Sequence, residues 1–155
     1  MNFIYAQEDI KSDLPCLFLA GPSPRSNEVV SWRKEAIQYL ESIDFDGYIF
    51  IPEPRNGVYP KDYIAQIEWE EQCLNVSDCI LFWIPRNLTD MHGLTTNDEW
   101  GYWKCKAPEK LVLGFPKETV KVKYQEYYAK KLNIPISNDL RDSLDICLLK
   151  LNRNE

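Results

Sequence analysis

The chain has one histidine among its 155 residues and no Cys-x-x-Cys pair. A zinc site, or any other His-centred metal cluster, therefore lacks its usual ligands, and neither a metal nor another cofactor is expected. The five cysteines, at positions 16, 73, 79, 105 and 147, are odd in number and scattered. That is the pattern of reduced thiols filling the core of a cytoplasmic protein, not of a disulfide scaffold. Only six glycines occur, none of them in a G-x-G-x-x-G or G-x-x-x-x-G-K-[ST] pattern. The two commonest phosphate cradles are thereby excluded. No apolar run approaches the roughly 20 residues of a membrane span. The opening MNFIYAQEDIKSDLP carries acids where a signal peptide needs an unbroken apolar stretch. Basic charge is also short, since 18 Lys and Arg against 24 Asp and Glu leave a net charge of −6. A broad surface for polymeric nucleic acid is excluded on that ground, whereas a small anion meeting a few clustered arginines is not.

What is present is a regular alternation. Short apolar runs, CLFLA (16–20), GYIFIP (47–52), CILFWI (79–84), KLVLGFP (110–116) and NIPIS (133–137), read as strands. Amphipathic stretches at 28–43, 62–76, 96–106, 118–132 and 138–152 read as helices between and after them. Ser26 or Asn27 is the expected cap of the first, and Asn138 or Asp139 of the last. Five runs alternating with five helices predict a three-layer α/β domain with a roughly five-stranded parallel sheet, occupying the whole chain as one unit, with residues 1–14 as an N-terminal extension. The hydrophobic share of 45% supplies a core for it. In such sheets ligands bind beyond the carboxyl ends of the strands.

Three of those ends carry Pro-Arg: Arg25 in GPSPRS, Arg55 in PEPRNG and Arg86 in PRNLTDMHGLTT. Parallel strands would place all three on one rim, where they would suit a phosphate or carboxylate. Either that holds, or Pro merely ends the strands and Arg is solvated. On the second helix a helical wheel puts Glu70 within an apolar arc of Tyr63, Ile67, Cys73 and Leu74. A carboxyl there has a raised pKa unless it is paired, and is a candidate acid/base. Glu99 closes the T-x-x-E of Thr96-Asn97-Asp98-Glu99. In one reading it is the reciprocal partner of a Thr96 helix cap. In the other it is an ionised nucleophile favoured by the positive end of the helix. Most of the five Trp and nine Tyr are expected in the core. The sheet alternation splits Phe82 and Trp83 between its two faces, and some aromatics remain for a flat ligand.

Taken together, FLAGPSPR, SWRKEAIQYL, IPEP, IEWE, SDCILFWIPR, GLTTNDEWG and KLVLGFP, in that order over residues 16–116, resemble the nucleoside 2-deoxyribosyltransferase family, its shorter deoxyribosyltransferase-like branch above all. The resemblance implies a flavodoxin-like fold and an assembly of two or more copies. It implies cleavage of the N-glycosidic bond of a 2'-deoxynucleoside, with the sugar passed to another base or to water. It places the nucleophile at Glu99 and the proton-transfer carboxyl at Glu70. Ala20, Gly21 and Pro22 would border the pocket, and the sugar-binding acid falls near Asp90. Arg25, Arg86, Thr96 and Asn97 complete the substrate-facing candidates, and the arginines leave room for a 5'-monophosphate. A nucleotide-sensing module that binds without turnover is the alternative from another class.

Overall fold

The structure is a computed structural model that describes residues 2–26, 28–59 and 61–152. Six strands form one all-parallel sheet: β1 (Asn2–Tyr5), β2 (Cys16–Ala20), β3 (Tyr48–Ile51), β4 (Cys79–Trp83), β5 (Leu111–Gly114) and β6 (Ile136–Ser137). Their spatial order is β1-β3-β2-β4-β5-β6. Among the described residues the α-helices are α1 (Arg33–Ser42), α2 (Tyr63–Val76), α3 (Leu94–Lys106), α4 (Lys123–Lys131) and α5 (Leu140–Leu151).

Alternation along the strands divides the core in two. Cys16, Phe18 and Ala20 of β2, Phe50 of β3, Ile80 and Phe82 of β4 and Leu113 of β5 face one side, where Trp69 and Cys73 of α2, Trp100 and Trp103 of α3 and Ala129 of α4 cover them. Leu17, Leu19, Ile49, Ile51, Leu81, Trp83 and Val112 face the other, against Ala36 and Leu40 of α1 and Leu144, Cys147 and Leu151 of α5. Phe82 and Trp83 thus point to opposite faces, as the pattern predicts. The central strands are buried end to end, which is why they read as continuous apolar runs.

The sequence reading differs from the structure at several edges. The sheet has six strands, not five. Residues 2–5, read as part of an extension, pair in parallel with β3, Phe3 opposite Ile49. So short a strand at an edge, with no helix before it, leaves no periodic signal. Helix α1 starts at Arg33, five residues later than expected, with Trp32 at its cap. Ser26 caps nothing there, and Asn27 lies outside the described residues. The serine that serves this helix start is Ser31, whose hydroxyl accepts from the Arg33 N–H at 3.2 Å. Helix α4 also starts late, after Lys121 turns the chain at φ 56°. Asp62 and Asp139 cap α2 and α5 through side-chain bonds to Ile64, Ala65 and Asp142 N–H groups.

From β2 the chain crosses to β3 on one side and then, through α2, to β4 on the other. Leaving aside β1, this is the doubly wound order of flavodoxin-like folds. The loops after β2 and β4 diverge at this switch point, and a cleft opens between them. Gly21 is the residue at the parting. Its φ is +146°, and an added Cβ would stand 2.0 Å from the Trp83 carbonyl oxygen. Gly21→Ala is therefore expected to destabilise the fold by about 2–4 kcal/mol through combined strain and clash. Urea denaturation measures this, and a loss below about 0.5 kcal/mol would contradict so close an approach.

Candidate active site

The cleft is a cavity of about 480 Å³ lined by residues 20–25, 93–96, Pro52, Tyr59, Tyr63, Gln66, Glu70 and Glu99. Its volume lies within the range of small-molecule sites, roughly 300–1,000 Å³. One wall is the loop after β2. Its carbonyls are tied from behind by α1 and its cap. The Trp32 indole donates to Pro22 O at 3.1 Å, and the buried Arg33 donates to Leu19 O at 2.9 Å and to Gly21 O at 2.7 Å. Arg33 also reaches Ser23 Oγ at 3.0 Å and Glu53 Oε1 at 2.6 Å. The opposite wall is the start of α3, which follows Gly93 in the left-handed region at φ 63°.

At the floor, Glu70 from α2 and Glu99 from α3 come within hydrogen-bonding reach of each other. As residues both are half-buried, with their carboxyl ends sunk between the two helices. Burial, followed by the charge of Glu70, pushes Glu99 up to about 8. Burial also raises Glu70, opposed by a hydrogen bond from Gln66 and by the positive charge of Arg33. That bond runs from Gln66 Nε2 to Glu70 Oε1 at 2.6 Å, and it requires an accepting oxygen on Glu70. Each group thus opposes the ionisation of the other, and two adjacent, desolvated carboxyls do not readily both ionise.

The helix start is not a capping box. Gly93 holds the cap position and Leu94 begins the helix. Thr96 is already inside the helix and buried, and Glu99 sits in the second turn. The favourable field at a helix start fades within the first turn, so desolvation governs Glu99 and the expected ionised state gives way to a protonated one. The arc expected around Glu70 is also corrected. Helix α2 buries Gln66, Trp69, Cys73 and Leu74, while Tyr63 and Ile67 are exposed. Glu70 lies at the margin of the buried stripe, facing α3.

Of the remaining candidates, Ala20, Gly21, Pro22, Arg25 and Thr96 line the cavity. The three Pro-Arg arginines do not share one rim. Arg55 turns to the sheet edge, where it pairs with Glu8 at 2.6 Å and lies over the Tyr5 ring. Arg86 is buried, donating to His92 O at 2.8 Å, to Lys121 O at 2.7 Å and to Asn97 Oδ1. Asn97 Oδ1 accepts a second bond from Gln125 at 2.8 Å. Arg86 and Asn97 thus brace α3 from outside the cavity. Asp90 is outside it too, and its carbonyl accepts from the Arg25 N–H at 3.2 Å. Sequence reasoning missed Arg33, Tyr59 and Gln66. Gln66 stands one helical turn before Glu70, a signal that was available. Arg33 and Tyr59 become visible only once the loops after β2 and β3 close around the cleft.

This is a flavodoxin-like α/β fold with a two-carboxylate cleft at its switch point. A family model described as nucleoside 2-deoxyribosyltransferase like matches residues 15–118, well over half of the chain, and the protein belongs to that family. Curated proteins provide no match. Among the described residues no helix is long and apolar enough to cross a membrane.

A raised carboxyl makes a signed claim on stability. Folded Glu99 keeps its proton up to about pH 8, whereas in the unfolded chain it ionises near 4.5. Its contribution is intact below about pH 4.5 and is lost as pH rises towards 8. Glu99→Gln removes that loss. Thermal melts are expected to show the variant gaining on the wild type from pH 5 to pH 8, by several degrees. A constant difference across that range would rule out a buried, proton-holding Glu99.

Proposed function

We propose that the protein cleaves the N-glycosidic bond of a 2'-deoxynucleoside or its 5'-monophosphate and passes the sugar to another base or to water. The observation that carries this reading is the Glu70–Glu99 pair, two carboxyls within hydrogen-bonding reach that both line the cleft, each raised by burial. A double displacement needs one ionised carboxylate and one carboxylic acid side by side. Membership of a family of nucleoside-handling proteins supplies the substrate class.

The proton resides mainly on Glu99 before substrate enters and passes across the hydrogen bond to Glu70 as the sugar parts the two groups. Glu99 then attacks the anomeric carbon, forming an ester bond. The carbon–nitrogen bond breaks, its electron pair goes to the base, and the base takes the proton from Glu70. In the second half Glu70 accepts a proton from an incoming base or water as that group displaces Glu99. Ala20, Gly21 and Pro22 shape the wall beside the sugar. Thr96, one turn before Glu99, offers its hydroxyl. Arg25 is the arginine placed for a 5'-phosphate at the rim. Arg86, Asn97 and Asp90 act at one remove by holding α3 and the Arg25 backbone. Two or more copies assemble, and no cofactor takes part.

Incubation with a panel of deoxynucleosides and their monophosphates, with chromatography of released base, tests this. Base release is expected, abolished in Glu99→Ala and reduced about 10²–10⁴-fold in Glu70→Gln. Adding a second base separates transfer from hydrolysis. No release from any substrate, or equal release by Glu99→Ala, sinks the reading, and tight nucleotide binding without product would mark a sensor instead.

A further inference from the structure

Arg33 belongs to α1, on the face of the sheet opposite the two helices that carry the carboxyl pair. Its side chain is 1% exposed. The guanidinium runs along the carboxyl edge of β2, where four hydrogen bonds reach Leu19 O, Gly21 O, Ser23 Oγ and Glu53 Oε1. Two of these acceptors, Gly21 and Ser23, line the cavity. Glu53, itself largely buried, takes a further bond from Ser31 Oγ at 2.7 Å. A buried cation is normally neutralised by its partner, and among the described residues Glu53 is the carboxylate bonded to this one.

We propose that Arg33 is the positioning residue of the site, one buried cation that fixes the wall formed by residues 20–23 and supplies the positive field facing the Glu70–Glu99 pair. The wall function follows from the bonds. A Lys could replace the charge but not a planar fork spread over two backbone carbonyls, a hydroxyl and a carboxylate. The field function follows from placement behind that wall, in a region poor in water.

The charged and titratable neighbours are few. Burial pushes both carboxyls up, and Arg33 opposes it at each. Asp98 on α3 adds to the rise at Glu99. Glu70 in turn raises its neighbours Cys73 on α2 and Tyr59 on the loop after β3, which burial already raises. Arg25 stands at the rim and Glu53 lies beyond Arg33. Arg33 acts on the pair, and Glu53, bonded to its guanidinium at 2.6 Å, offsets part of that charge, so changes to these two residues should act with opposite sign.

That sign is the test. The catalytic part of the inference rests on the deoxyribosyl reading, but the electrostatic part can be read without turnover. Protein carrying ¹³C-carboxyl Glu is titrated by NMR, with Glu70→Gln and Glu99→Gln assigning the pair. Arg33→Met is expected to raise the pair's midpoints by about one pH unit. Arg33→Lys should hold them within about 0.3 unit, as the retained charge requires. Glu53→Gln keeps the hydrogen-bond acceptor but unmasks Arg33, and should lower them by about half a unit. Where base release is seen, its pH profile should move with the midpoints, and Arg33→Lys should raise KM more than it lowers kcat. If Arg33→Met does not fold, the Lys and Gln variants still decide. Midpoints unmoved in Glu53→Gln, or moved upwards, would overturn the proposal. Absence of base release by the wild type would instead defeat the deoxyribosyl reading and leave these shifts to be judged by themselves.

Discussion

Two carboxyl groups forced together in a poorly hydrated cleft are the constraint to which the rest of the site answers. Neither is costly alone in water. Brought within hydrogen-bonding reach and desolvated, both are held above the ordinary carboxylate range, and each resists the ionisation of the other. Their environments differ, since Glu70 accepts from Gln66 while Glu99 feels the charge of Glu70, so the two protonate unequally. Desolvation also makes the pair a local source of instability. The surrounding structure answers with a hydrogen bond from Gln66 on one side and the charge of Arg33 behind the β2 loop on the other. The rest of the domain carries the strain through a thick core, with Phe18, Phe50, Phe82 and Trp100 fully buried.

The fold determines how such a pair can form. Helices α2 and α3 flank β4, so their facing sides converge over the carboxyl end of the sheet. Glu70 and Glu99 are far apart in sequence and sit on the seam rather than on either buried stripe. A carboxyl wholly within a stripe would be pressed against Phe82 or Trp103 with no ligand access. One wholly outside it would be solvated and would keep an ordinary pKa. The seam is the narrow location where a group is both desolvated and reachable.

This explains what could be read in the sequence and what could not. The α/β alternation was legible, because buried parallel strands are continuous apolar runs and helices repeat every 3.6 residues. Five of the six strands announced themselves that way. The edge strand Asn2–Tyr5 did not, since no helix precedes it to place it within the strand–helix alternation. Glu70 and Glu99 were visible as residues, yet their partnership was not, because each had a sufficient local explanation in an apolar arc or a capping box. The αL conformation of Gly93 shifted the helix start by two residues and removed that box. No local rule announces that choice. Arg33 escaped notice because it follows an ordinary Ser-Trp at an apparent mid-helix position. Its importance lies in contacts with residues 19–23 and 53, which only the closed loops create.

The two sides of the cleft differ in how they are built. A desolvated carboxyl pair responds to small changes in field, and the wall behind it is tied down. Pro22, Pro24 and Pro52 restrict φ there, Gly21 is held against Trp83, and Trp32 and Arg33 tie down the carbonyls. Across the opening, Tyr59 belongs to a loop that turns at Gly57 with φ 72°, and Tyr59 and Tyr63 are each more than half-open to solvent or nearly so, at 50% and 59% exposure. Tyr59 on the loop and Tyr63 at the start of α2 present aromatic faces to the cleft, and Tyr59 also bonds to Ser23 of the opposite wall. The cleft thus sets the carboxyl pair and the braced β2 loop against a more open aromatic side.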